Sequence, residues 1–230
     1  MYEEHSHRDV RGGGARAAVF GISDGLVSNV SLILGMAGAH SSAAAVRLAG
    51  IAGLVAGAFS MATGEYVSMR AQSELMEREL DVEREAIASD PEDERRELAA
   101  LYRARGIEAD LAEELSVKMM RSPEIALETH AREELGFTPG ETGKPMQAAL
   151  SSFVMFAVGA LIPLLPWLLT GGNTALWWSI GLAAAASLVV GAALSYFTGR
   201  SMLWSAARQL LLSGAAAGVT YTIGHAVGTG

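Results

Sequence analysis

Five stretches of this chain stay apolar for about as long as a helix needs to cross a bilayer, roughly 20 residues each. They are Ala17–Ala39, Ala43–Ser68, Gln147–Leu169, Thr174–Thr198 and Leu203–Val227. In hydrocarbon every backbone N–H and C=O must be satisfied within the protein, which leaves only helices or a closed barrel as spanning structures. The runs are continuous and rich in Ala, Leu and Gly, with none of the alternation of a barrel strand. Five helical spans are therefore expected. Arg47 and Arg208 lie near the starts of the second and fifth runs, where a long side chain reaches the interface.

Half of the residues are hydrophobic, and the formal net charge of -8 is concentrated in one segment. Between Gln72 and Pro145 lie 20 of the 25 acidic residues and 10 of the 17 basic ones. The division that follows is a polar tail (1–15), spans one and two (16–71), an acidic helical segment (72–145) and spans three to five (146–230). An acidic surface repels nucleic acid and favours cations. The absence of cysteine removes disulfides, thiolate metal sites and iron–sulfur clusters. Metal ligands must then be carboxylate, imidazole, thioether or backbone, a set that suits Fe²⁺, Mn²⁺ or Mg²⁺ better than Cu⁺. The first residues, MYEEHSHRDVRGGGAR, lack the pattern of a signal peptide.

The acidic segment reads as helices. No Gly or Pro interrupts the chain from the second span to about Ala88. Asp90 caps a new helix with Pro91 at its first position, ending before Gly106. A further helix covers roughly Glu108–Arg121. Ser122-Pro123 opens the last, which stops at Gly136, and Phe137–Pro145 is a loop. Lys/Arg bias places the N-terminus and this segment in the cytosol: Arg8, Arg11, Arg16, Arg70, Lys144, Arg200 and Arg208 fall on one side, Arg47 on the other. The C-terminus is then outside. With no targeting segment, a prokaryotic inner membrane is expected. Trp167, Trp177 and Trp178 read as interfacial anchors at the external end of spans three and four.

Within the first span, Asp24 is the residue that needs a reason. A carboxylate at bilayer depth is expensive and marks an ion or proton path. It binds either a divalent cation or a proton, so the two compete and can be exchanged. The structural alternative is a packing acid paired with Arg16 or Asn29. Gly53/Gly57, Gly214/Gly218 and Gly224/Gly228 have the spacing of close helix contacts. No nucleophile–base or phosphate-loop pattern points to an enzyme. The one Glu-x-x-His pair, Glu4/His7, lies on the polar tail, so a di-iron oxidase core is not expected.

The stretches DGLVSN (Asp24–Asn29), GAFSMATGEYVS (Gly57–Ser68), DPEDERREL (Asp90–Leu98) and THAREELG (Thr129–Gly136) resemble the vacuolar iron transporter family. The likeness runs from about Ala15 to the end, in order, with the same arrangement of two spans, acidic insert and three spans. The resemblance implies an all-α, five-helix polytopic membrane protein, a homodimer with its ion path between the two copies. It implies a transporter that carries Fe²⁺, and also Mn²⁺, out of the cytosol in exchange for protons, with no tightly bound cofactor. It places Asp24 and Met61 on the path. Glu65, one turn beyond Met61, shares its helix face and is read as a relay from the cytosolic side. Asn29 is a further oxygen donor, and Gly53 stands where the family can have another acid.

In the insert, the family's four glutamates map onto Glu83, Ala86, Glu94 and Glu97. Ala86 departs from the pattern, and Glu85 and Glu79 are the available substitutes. The methionine pair and glutamate near the insert's end map onto His130, Ala131 and Glu134. His130 and Glu134, at i,i+4, offer an imidazole and a carboxylate on one helix face. The rival reading is a membrane-anchored metal sensor that transports nothing. Against it stand Asp24 and Met61, since an anchor needs no polar group at depth.

Overall fold

The computed structural model describes residues 13–140 and 143–228. The tail carrying Glu4, His5 and His7, and also Glu141, Thr142, Thr229 and Gly230, lie outside the described residues. Among the described residues there are eight helices and no strand: α1 Gly13–Gly38, α2 Ala43–Ser89, α3 Pro91–Ala104, α4 Ala109–Met119, α5 Pro123–Glu133, α6 Pro145–Leu169, α7 Gly172–Thr198 and α8 Met202–Gly228. Helices α1, α2, α6, α7 and α8 are long and apolar enough to cross a membrane. The chain divides into two compact units, residues 1–67 with 144–230, and residues 68–143. Helix α2 contributes to both.

In the first unit α1 is central, packing on α6, α7 and α8. Leu26, Val30 and Leu34 of α1 form one buried cluster with Ala183 and Ala217. Ile33 joins a second cluster with Val46, Leu164, Trp167 and Ala175. Little hydrophobic force drives one apolar helix onto another in lipid, so association depends on close backbone approach. Such an approach joins α1 and α6. A Cβ on Gly21 would stand 2.9 Å from the Ser152 carbonyl oxygen, and a Cβ on Gly25 or Gly159 would overlap the facing backbone. The Gly21-x-x-x-Gly25 pair of α1 is a close contact beyond the three pairs that the sequence singles out. Of those three, Gly53/Gly57 abut Leu32, Asn29 and Phe156, and Gly224/Gly228 abut Gly35 and Ala39. Gly214 and Gly218 face open space.

Trp177 and Trp178 are exposed, as interfacial anchors are, but Trp167 is only 3% exposed. The expectation of an anchor at Trp167 is corrected: its ring fills the cluster where α1, α2, α6 and α7 meet.

In the second unit α3 packs on α4 and α4 on α5. Asp90 accepts a hydrogen bond from the Asp93 N–H, with Pro91 in the first turn, and Ser122 does the same for Ile125. Leu98, Tyr102 and Ala112 are the apolar centre. Arg95 ties α3 to α4 by pairing with Glu92 and Glu113, and Arg105 pairs with Glu133 of α5. The last two helices are shorter than expected, ending at Met119 and Glu133.

Candidate metal centres

An open groove of ≈ 430 Å³ runs between α1 and α2. It is lined by Asp24, Ser28, Met61 and Glu65, with Phe20, Gly57 and Phe156 among its apolar walls. Thus the three sequence candidates of the first unit share one space. One turn of α1 brings Asp24 and Ser28 to the same face, and the Ser28 hydroxyl donates to Asp24 Oδ1 at 3.1 Å. Sequence reasoning missed Ser28, although the i,i+4 spacing was the available signal. On α2, Met61 and Glu65 present the same face.

Arg16 does not pair with Asp24. Its guanidinium lies 3.5 Å from Glu65 Oε1, and Glu65 is 18% exposed. Asn29 is buried and also leaves Asp24 alone: its Nδ2 donates to the Ala160 carbonyl at 2.6 Å. Its Oδ1 is buried with no hydrogen-bond partner. Gly53 sits against that oxygen, where a Cβ would approach to 3.0 Å. A carboxylate, a thioether and a second carboxylate around one open space can hold a divalent cation with oxygen and one soft donor.

The second cluster lies wholly within residues 68–143. Glu83 comes from α2, Glu94 from α3, His130 from α5, and Glu134 from the end of α5. His130 is fully buried. Its Nδ1 lies 3.0 Å from Glu83 Oε1, 3.0 Å from Glu134 Oε1 and 3.7 Å from Glu94 Oε2. One N–H can serve only one of these oxygens well. Both ring nitrogens, Glu83 Oε1 and Glu134 Oε1 are in fact buried without a hydrogen bond of good geometry. Buried polar groups are normally paired. Orphaned donors converging on one point are what a cation would satisfy, and ligand atoms of Glu83, Glu94 and His130 all lie within 4.8 Å of one another.

Burial pushes the Glu134 carboxyl up to about 7, with Glu97 and Glu94 adding repulsion. Burial also raises Glu94, against the pull of His130. Glu97 is exposed and acts on the cluster through its charge. Glu85 is exposed as well, and neither it nor Glu79 is among the groups that converge on His130. The groups that do converge there are the carboxylates of Glu83 and Glu134, each 3.0 Å from His130 Nδ1.

Five membrane-length helices, a carboxylate–thioether groove in one unit and a carboxylate–imidazole cluster in the other define an integral membrane protein with a metal-ligating character. The chain belongs to the VIT family, whose model matches residues 15–225. It is 35% identical to a vacuolar iron transporter of Acanthamoeba castellanii, covering 96% of this chain and 81% of that protein. It is 29% identical to vacuolar iron transporter 1 of Oryza sativa subsp. japonica, over 93% of this chain and 85% of the relative. Identity to vacuolar iron transporter 1 of Arabidopsis thaliana is also 29%, over 99% and 92%.

Proposed function

We propose that this protein exports divalent metal, Fe²⁺ and also Mn²⁺, from the cytosol in exchange for protons. The observation that carries the reading is the shared groove of Asp24, Met61 and Glu65 in the membrane unit. The names of the relatives support iron as cargo. The acidic cluster around His130 gathers metal from the cytosol, and its carboxylates must be deprotonated to bind. Glu65 then takes the ion from the cytosolic side. A tethered cation, Arg16, already sits beside Glu65, and the arriving ion displaces it. Asp24 and Met61 hold the ion at depth, with Ser28 aiming the carboxylate through its hydroxyl.

On the far side, protons compete with the ion for Asp24 and return the carboxylate to the cytosolic side neutralised. A neutral carboxyl crosses a low-dielectric region at far lower cost than a bare carboxylate. The groove is open along one side, with Phe20 64% exposed at its edge. A second copy of the chain closes it, giving a homodimer with the path between the protomers. The N-terminus and residues 72–145 face the cytosol and the C-terminus faces outward, in a prokaryotic inner membrane.

The test is metal flux in sealed proteoliposomes under an imposed pH gradient, with Fe²⁺ compared with Mn²⁺. Gradient-driven flux is expected in the parent protein and background flux in Asp24→Asn, with both proteins inserting equally. Full flux in the variant would remove Asp24 from the mechanism. Metal bound to the insert without flux of any ion would point to a sensor.

A further inference from the structure

A second pair of metal-capable side chains lies at the opposite end of the membrane unit from Arg16 and Glu65. His40 occupies the turn between α1 and α2 with a left-handed backbone, φ 53. His225 lies in the last turn of α8. Their ring centroids are 5.6 Å apart at an interplanar angle of 68°. They stand near opposite ends of the chain, so nothing but the packing of α1 on α8 brings them together.

That packing is unusually close. A Cβ on Gly224 would overlap the Gly35 carbonyl, and one on Gly228 would stand 2.6 Å from the Ala39 Cα. A Cβ on Gly38 would meet the His225 backbone nitrogen at 3.2 Å. With no side chains between the two helix ends, the backbone fixes the separation of the imidazoles. Both histidines are exposed, so an ion reaches them directly from solvent.

The chemistry of the location favours a cation. Two imidazoles bound to one tetrahedral ion, at metal–nitrogen distances of about 2.0–2.1 Å, have ring centroids roughly 5 Å apart. The observed centroid spacing of 5.6 Å is close to that value. The C-terminal ends of α1 and α8 meet here, and each brings the negative end of its dipole. Beyond Asp24, α1 contains no ionisable side chain, and α8 contains no carboxylate. The two side chains offer imidazole nitrogen, which selects Zn²⁺, Ni²⁺, Cu²⁺ or Fe²⁺ over Ca²⁺ or Mg²⁺. Asp24 lies well before the end of α1, about 21 Å away along the helix, so this is a place apart from the groove.

We infer that His40 and His225 form a further divalent-cation site, which takes a borderline transition-metal ion and ties the end of α1 to the end of α8. The inference stands independently of the transport reading.

The chain has five histidines, which makes a clean experiment possible. In full-length protein, His5→Ser, His7→Ser and His130→Asn leave His40 and His225 as the sole imidazoles. Cu²⁺ is added at one equivalent, and pulsed electron paramagnetic resonance counts the coordinated imidazole nitrogens. Two are expected in this background. One or none is expected in His225→Gln and in His40→Asn, where Asn keeps the left-handed turn accessible. As a second readout, Zn²⁺ should raise the thermal midpoint of the two-histidine background by more than that of either single variant, because an ion bound to the folded state stabilises it; equal shifts in all three would count against the site. A single coordinated imidazole in the two-histidine background, or a two-imidazole signal surviving in either variant, would overturn the site.

Discussion

At the scale of single residues, the two clusters differ in what holds their charge. Asp24 has a hydroxyl partner on its own helix, 3.1 Å away. The carboxylates around His130 have been brought together from three helices and left short of hydrogen bonds. Such an arrangement is costly without an ion, and the cost has a measurable pH dependence. The Glu134 carboxyl titrates at about 7 in the folded protein against an ordinary 4.5. The folded state thus holds this proton more tightly than the unfolded state does. The stability it contributes is present below pH 4.5 and lost as pH rises through about 7. Metal-free protein should therefore melt its acidic unit at a lower temperature at pH 8 than at pH 5.5. Saturating Mn²⁺ should reverse that order. Glu134→Gln, neutral at every pH, should flatten the difference in the metal-free state.

Binding has the opposite pH dependence. An ion must displace the Glu134 proton, so apparent Mn²⁺ affinity should fall as pH drops through about 7. Calorimetric titration at two pH values measures this. His130→Ala removes the imidazole on which the three carboxylates converge and should weaken binding by at least about tenfold, equivalent to 1.4 kcal/mol. Unchanged affinity in that variant would mean the metal sits elsewhere.

Elements are held in the two units by different forces. In the membrane unit α1 and α6 touch through glycine, and any added side chain must push backbone apart. Gly159→Leu should cost roughly 1–3 kcal/mol or more, visible as a lower thermal midpoint in detergent. Gly218→Ala, on an open face of α8, should be neutral or better. In the acidic unit the short helices depend on caps and cross-helix ion pairs. Asp90 accepts from the Asp93 N–H at 3.1 Å, and Asp90→Ala should cost about 1 kcal/mol. That loss should appear as earlier melting of the acidic unit while Asp24-dependent flux persists at low temperature.

For the whole molecule, the open groove and the exposed ring of Phe20 put the proposed ion path on a surface that a single chain leaves uncovered. A homodimer closing this face predicts a definite cross-linking pattern. Because the chain lacks cysteine, single cysteines report without background. Phe20→Cys should form a disulfide-linked dimer in the membrane under mild oxidation. Leu212→Cys, on the outer face of α8, should stay monomeric. The reverse pattern would place the interface elsewhere and deprive the groove of its proposed second wall.

Much of this protein is legible in its amino-acid sequence, and the reasons are local. Membrane-length apolar runs leave the backbone one choice, so five helices follow from hydropathy alone. Asp90-Pro91 and Ser122-Pro123 announce helix starts because capping and proline geometry act within one turn. Asp24 and Glu65 are conspicuous since carboxylates are rare in such surroundings, whereas Met61 is marked by the family resemblance alone. Contacts between distant positions are not legible in this way. The sequence offers Arg16 as a partner for Asp24, but only the crossing of α1 and α2 sends it to Glu65. It offers Trp167 as an interfacial ring, but burial depends on four helices meeting. For the carboxylate missing at Ala86 it offers neighbouring glutamates, yet packing of α5 brings His130 with Glu83 and Glu134 to that cluster. Hydrophobicity and helix ends are set by residues a few positions apart, and sequence suffices for them. Which donors share a point in space depends on how helices pack, and that was decided by the tertiary structure.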